Sequence, residues 1–259
     1  MKRVAAALAL GLAASVPAQP LPPDAGVTPR LGAALPPGLM LRDSDGQPLR
    51  LATLLGERPL LLVPGYYRCP QLCGLQMHGL LEALHDDGVA PARLRLLRVS
   101  LAPDETPADA RARREVDLAY ARHLAGAAAA LPAASWLTGD AAPLQALAAA
   151  LGLRYSPEPA GDGYAHPAVV VVLTPDGRVA DYLGGIRFEP GRLDQALTRA
   201  AAGEVGGRPG LAERVALLCA RFDPTLGRHS GAVLRGIQAT GLAVLIGLAA
   251  LLWRQRRSP

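Results

Sequence analysis

The feature that most limits what this chain can fold into is a junction. Cys69-Pro70-Gln71-Leu72-Cys73 stands between an apolar run, Pro59-Leu60-Leu61-Leu62-Val63, and a helical pattern. A strand feeding a helix start that carries two cysteines reads as a thiol site. Pro70 lacks a backbone N–H and its φ is already near the helical value, so it suits the first helical position and makes Cys69 the expected N-cap. There, unpaired N–H groups and the positive end of the helix dipole favour a thiolate. Cys73 follows one turn later on the same face, where neighbouring Cβ atoms lie roughly 5–6 Å apart. Two outcomes stay open: reduced, the pair offers two soft thiolates to one metal ion, and sulfur selects copper(I) over harder cations; oxidised, it closes to a Cys69–Cys73 disulfide after small adjustment. A purely structural bridge fits less well, because it would close one helical turn instead of linking distant segments.

The ends of the chain indicate where such thiols would operate. Met1-Lys2-Arg3 is a short basic region, Val4 to Ala14 is apolar but too short to cross a bilayer, and Val16-Pro17-Ala18 ends in small residues. Residues 1–18 therefore read as a signal peptide, with the mature chain beginning near Gln19 outside the cytoplasm. Gly236 to Trp253 is almost wholly apolar and is followed at once by Arg254-Gln255-Arg256-Arg257. It reads as a single transmembrane helix with the basic tail, 254–259, in the cytoplasm and the thiol domain in the periplasm. Cysteines kept reduced there need a dedicated thiol reductant. The net charge of +5 comes from scattered arginines, with Lys2 the one lysine. No basic stripe interleaved with aromatics occurs, which argues against nucleic-acid binding.

Between the ends, strands alternate with helices. Gln19 to Pro37 is rich in Pro, Gly and Ala and reads as a flexible lead-in. Leu39–Arg42 and Pro48–Leu51 flank Asp43-Ser44-Asp45-Gly46-Gln47, a hairpin signal. The Leu60–Val63 strand, the cysteine helix to about Asp87, and a second strand over Leu94–Leu101 follow. Thr106 is the expected N-cap of a helix to about Gly126, with Pro107 and Asp109 at its first and third positions. A short strand, Ser135–Gly139, and a helix opened by Pro143 come next, then a loop over Arg154–Ala165. His166 and Pro167 lead into Ala168–Leu173, a β-branched run suited to a buried central strand. Val179–Leu183 returns from a Pro175-Asp176-Gly177 turn, and a last helix covers Pro190 to Ala202. The expectation is an α/β fold over 38–203, a mixed sheet flanked by helices, with a connecting helix or linker at 204–235.

With its cysteine pair at a strand-to-helix junction, this order resembles the thioredoxin fold. In that fold a proline-containing loop before a later strand faces the cysteines, and Pro167 occupies that place. The resemblance puts His166 beside Cys69 and Cys73. More specifically, the chain resembles the Sco/SenC copper proteins, membrane-tethered thioredoxin-like domains that serve cytochrome c oxidase. The matching residues are Gly65-Tyr66 leading to Cys69-Pro70-Gln71-Leu72-Cys73, Ser100 with Asp104-Glu105-Thr106-Pro107, Trp136-Leu137-Thr138-Gly139, and His166 followed by Thr174-Pro175-Asp176-Gly177. The similarity covers about Leu39 to Ala202. It implies copper bound by Cys69, Cys73 and His166, delivered to the copper-site subunit of a terminal oxidase, with a copper donor and a thiol reductant upstream. Three positions depart from the family's usual pattern: Arg68 before the first cysteine, Gly74 after the second, and Ala165 before the histidine. A cationic Arg68 would favour a Cys69 thiolate while repelling a metal cation.

The alternative function is enzymatic. A thiol-disulfide oxidoreductase would use the same pair, with Cys69 attacking and Cys73 resolving as its catalytic residues, to reduce the oxidase's copper-site cysteines. His166 separates the two readings, since exchange does not require it. Elsewhere, His78 and His85 fall about 180° and about 160° around the helix from Cys69, facing away from it. Met77, about 80° away, suits the core. His123 and His229 read as solvated or helix-capping, and Cys219, the odd cysteine, as packing near the membrane.

Overall fold

The apolar run after Pro59 becomes a strand buried on both faces, and the sheet is assembled about it. The protein is described here from a computed structural model of residues 25–69, 72–126, 132–157 and 163–206. In chain order the elements are β1 (Gly26–Val27), β2 (Met40–Arg42), β3 (Pro48–Arg50), β4 (Leu60–Gly65), α1 (Leu72–Asp86), β5 (Arg95–Ser100), α2 (Pro107–Ala125), β6 (Ala133–Leu137), α3 (Ala141–Ala150), β7 (Leu153–Arg154), β8 (Ser156–Pro157), β9 (Tyr164–Ala165), β10 (Val169–Leu173), β11 (Val179–Gly184) and α4 (Arg192–Ala201). Five strands form the main sheet in the order β11-β10-β4-β5-β6. β4, β5 and β6 run parallel, while β10 is antiparallel to both β4 and β11. This is the mixed sheet with helices on both faces that the thioredoxin resemblance implies.

Period-two alternation along the strands separates two cores. Leu60 and Leu62 of β4, Leu97 and Val99 of β5, and Val169 and Val171 of β10 pack with Leu144 and Leu147 of α3 and with Leu41 of the β2–β3 hairpin. Leu61 and Val63, Leu96, and Val170 and Val172 face the other way, against Met77, Leu80 and Leu84 of α1 and Leu193 and Leu197 of α4. The β-branched run of β10 is therefore explained by burial on both faces at an interior antiparallel position.

Local signals predicted some boundaries closely. Thr106 caps α2 in a reciprocal box: the Asp109 N–H donates to Thr106 Oγ1 at 3.4 Å, and the Thr106 N–H donates to Asp109 Oδ2 at 2.7 Å. Other expectations need correction. The lead-in is built into the fold from Gly26 onward: β1 pairs with β7, Ala34 bridges to Arg178, and Leu35 is buried. Its few bulky residues suffice because they dock on an existing core. Pro143 does not open α3; the helix starts at Ala141, and Pro143 sits in its first turn, where a missing N–H costs nothing. Within the stretch expected to be a loop, β8 and β9 pair as a small hairpin. Residues 1–18, read above as a signal peptide, Pro70, the connecting segment from 207 onward with Cys219 and His229, and residues 236–253, read above as a transmembrane helix, lie outside the described residues. Among the described residues, no helix is long and apolar enough to cross a membrane.

Candidate metal centre

The site forms where β4, β5 and β10 bring three loops to one end of the sheet. β4 ends at Gly65, so the chain from Tyr66 to Cys69 leaves the sheet there, and Cys73 lies in the first turn of α1. β10 is antiparallel to β4, with Val171 opposite Leu62. The residues just before β10 therefore arrive at the same end. That register is why His166, 93 residues beyond Cys73, meets it: Nε2 lies 3.2 Å from Cys73 Sγ.

The imidazole is oriented from its far side. His166 Nδ1 lies 3.2 Å from the Pro167 carbonyl oxygen, which only accepts, so Nδ1 carries the proton and Nε2 presents its lone pair to the sulfur. Tyr66 adds an edge-on contact, with ring centroids 5.8 Å apart. A metal-ligating histidine typically has this arrangement, its second nitrogen held by a carbonyl. Gly65 forms the floor. A Cβ there would sit 3.6 Å from both Cys73 Sγ and His166 Cε1.

The two thiols differ. Cys73 is buried, and its pKa is pushed far up, first by its hydrogen bond to Cys69, then by burial and the charge of Cys69; a Tyr66 backbone hydrogen bond and Arg98 pull the other way. Cys69 is half-buried and also bonds the Tyr66 hydroxyl. Tyr66 is pushed up by burial and by both cysteines. Cys69 is thus linked to Cys73, and Cys73 faces His166. Among the described residues, no three Cys, His, Asp or Glu side chains already stand in closed metal-ligating geometry.

The structure also alters the reading of Arg68. Its guanidinium pairs with Asp104 and approaches Glu105 Oε1 at 3.5 Å, so its charge is balanced by carboxylates on the β5–α2 loop and the expected repulsion toward a cation is weakened. His78 faces away from the thiols, stacked on Tyr120 with centroids 3.8 Å apart. Met77 is a core residue.

Sequence reasoning gave no role to several supporting residues, although Glu105 and Ser100 stood in one of the motif segments. Glu105 is buried and accepts hydrogen bonds from the N–H groups of Tyr67 and Arg68 and from the Ser100 hydroxyl. Arg98 is buried on β5, paired with Asp117 at 2.6 Å, and donates to the Cys73 carbonyl at 3.2 Å. Asp117 also accepts from Trp136 Nε1 at 2.8 Å and Arg113 Nε at 2.9 Å. A charged residue at a buried position of the Arg95–Ser100 strand was the available signal for Arg98.

Fold and site together define a class: thioredoxin-like domains in which a Cys-x3-Cys helix start faces a histidine delivered by the loop before a later strand. The chain belongs to the SCO1/SenC family, whose profile matches residues 32–202. Among solved structures, a candidate electron transfer protein from Aquifex aeolicus is 27% identical, with a TM-score of 0.57 over 68% of this chain and 96% of that one. A candidate electron transport protein from the same organism is 25% identical, with a TM-score of 0.53 over 68% and 100%. Copper-bound ScoI from Arabidopsis thaliana, at 17% identity and a TM-score of 0.50 over 67% and 99%, shares the fold. A search of curated proteins found no match.

Proposed function

We propose that this protein is a membrane-tethered copper metallochaperone that carries copper(I) on Cys69, Cys73 and His166 and delivers it to, or matures, the binuclear copper centre of cytochrome c oxidase. The observation that carries the reading is the approach of His166 Nε2 to Cys73 Sγ with Nδ1 held by the Pro167 carbonyl. A dithiol exchange site does not need an imidazole whose lone pair faces the buried sulfur. Two sulfurs and one nitrogen form a soft donor set suited to copper(I) and tolerable to copper(II). Membership of the SCO1/SenC family and the copper-bound Arabidopsis relative support the choice of cargo. Half-exposed Cys69 is the side from which an acceptor thiol would enter and take the ion by ligand exchange. In this reading residues 1–18 direct export, 236–253 anchor the chain in the inner membrane, and the thiol domain works in the periplasm, supplied by a copper donor and a thiol reductant.

The difference in exposure between the thiols supports a second activity, reduction of the oxidase's copper-site cysteines. Cys69 would attack an acceptor disulfide, releasing one acceptor thiolate. Cys73 would then displace the second, leaving a Cys69–Cys73 disulfide. Titration of the reduced full-length chain with copper(I) against a competing chelator tests the first reading. One tightly held ion is expected, with affinity lost in Cys69→Ser and falling in His166→Ala by more than the roughly 10- to 100-fold typical of losing an outer partner. Unchanged affinity in His166→Ala, with rapid disulfide turnover, would leave the oxidoreductase.

A further inference from the structure

We infer that Glu105 is the positioning residue of the site, the group that fixes where Cys69 is presented. Its carboxylate is buried, with the side chain fully shielded from solvent. The two oxygens divide their partners along the chain that enters the cysteine motif: Oε2 accepts the Tyr67 N–H at 2.7 Å and Oε1 the Arg68 N–H at 2.6 Å. Two successive amides are thereby clamped immediately before Cys69. Oε2 also receives the Ser100 hydroxyl at 2.6 Å, tying the clamp to the end of β5.

The clamp is needed because Tyr66 to Cys69 lies between the end of β4 and the start of α1, where ladder and helix bonds do not order the backbone. A buried carboxylate that accepts several N–H and O–H groups is a strong, short-range anchor, and it is costly to leave without donors. The Tyr67 side chain adds a second tie, its hydroxyl reaching the carbonyl oxygens of Leu137 at 2.8 Å and Arg98 at 3.0 Å. Glu105 does not touch the cargo. It acts through the backbone, which distinguishes it from the ligands named above.

The consequence for copper rests on the proposed cargo; the backbone clamp does not. Three full-length proteins are compared with wild type. Glu105→Gln is nearly isosteric but replaces one acceptor with a donor. Glu105→Asp keeps the charge and shortens the reach by one methylene. Leu144→Ala, on α3, is a destabilised control outside the site. The readouts are hydrogen exchange at the Tyr67 and Arg68 amides of the apo proteins and copper(I) affinity by chelator competition.

Both Glu105 variants are expected to lose protection at those amides by at least about tenfold. Where wild type holds copper(I), they should lose affinity by about 10- to 100-fold, as for an outer partner, while Leu144→Ala keeps wild-type affinity. If Glu105→Gln does not fold, Glu105→Asp carries the test. Retained amide protection, wild-type affinity in Glu105→Asp, or an equal loss in Leu144→Ala would each overturn the inference. Absence of copper binding by wild type would overturn the proposed cargo instead, leaving the exchange result to decide the clamp.

Discussion

Cys69 and Cys73 are four positions apart in the chain, yet their surroundings assign them different work. Cys73 is walled in by Tyr66 and Ala102 and holds its proton against Cys69, whereas Cys69 reaches solvent. A thiol whose pKa is raised by folding binds more protons in the native state than in the unfolded one. Its stabilising contribution is complete below the ordinary thiol value of about 8.5 and is lost as pH rises beyond it toward the higher folded value. The reduced, metal-free protein should therefore lose thermal stability as pH is raised from 8 to 10. Cys73→Ala should flatten that slope, and melting temperature measured across the range in both proteins checks it. A slope unchanged by the substitution would mean that Cys73 titrates as an ordinary thiol.

At the scale of elements, the support beneath the site is a buried ionic junction where β5, α2 and β6 meet. Arg98, Asp117 and Trp136 come from those three elements, and Arg98 also reaches the carbonyl of Cys73 on α1. Removing one partner of a buried pair leaves a charge without compensation. Asp117→Ala should destabilise the protein by about 3–5 kcal/mol, read from the urea midpoint at constant m-value. Replacing both members, Arg98→Met with Asp117→Leu, should recover part of that loss, because the Arg98 charge is no longer stranded while Trp136 Nε1 and Arg113 still lose their acceptor. A single-variant loss under about 1 kcal/mol would mean that Arg98 finds another partner. The capping box of α2 was readable because its members are three residues apart, whereas this junction was not: Arg98 and Asp117 are 19 residues apart and join only once α2 lies against the sheet.

For the whole molecule, α4 is the last described element, the chain after it is still tied to β11 by the Gly206 N–H donating to the Ala180 carbonyl at 2.7 Å, and the expected anchor lies beyond residue 235. If the C-terminal apolar segment tethers the protein, the full-length chain should sediment with membranes and resist alkaline carbonate extraction. A chain ending at residue 207 should remain in the supernatant with an unchanged melting temperature. Recovery of the full-length chain in the soluble fraction would remove the tether from the proposal.

The linear chain by itself determined what depends on neighbours a few residues apart: the capping box of α2, the hairpin turn at Asp43–Gln47, the two-sided apolar strands, and the presence of two thiols at a strand-to-helix junction. Through its motifs it also pointed to His166, although nothing local marks that residue as a ligand. Tertiary structure alone decided which distant groups share space. The antiparallel register of β10 on β4 carries His166 to Cys73, the β5–α2 loop swings Glu105 under Tyr67 and Arg68 and turns Asp104 to Arg68, and the segment from Gly26 to Leu35 docks on a finished core. Sequence patterns register short-range propensity and burial, whereas these contacts arise only after the sheet has closed the distance between residues far apart along the chain.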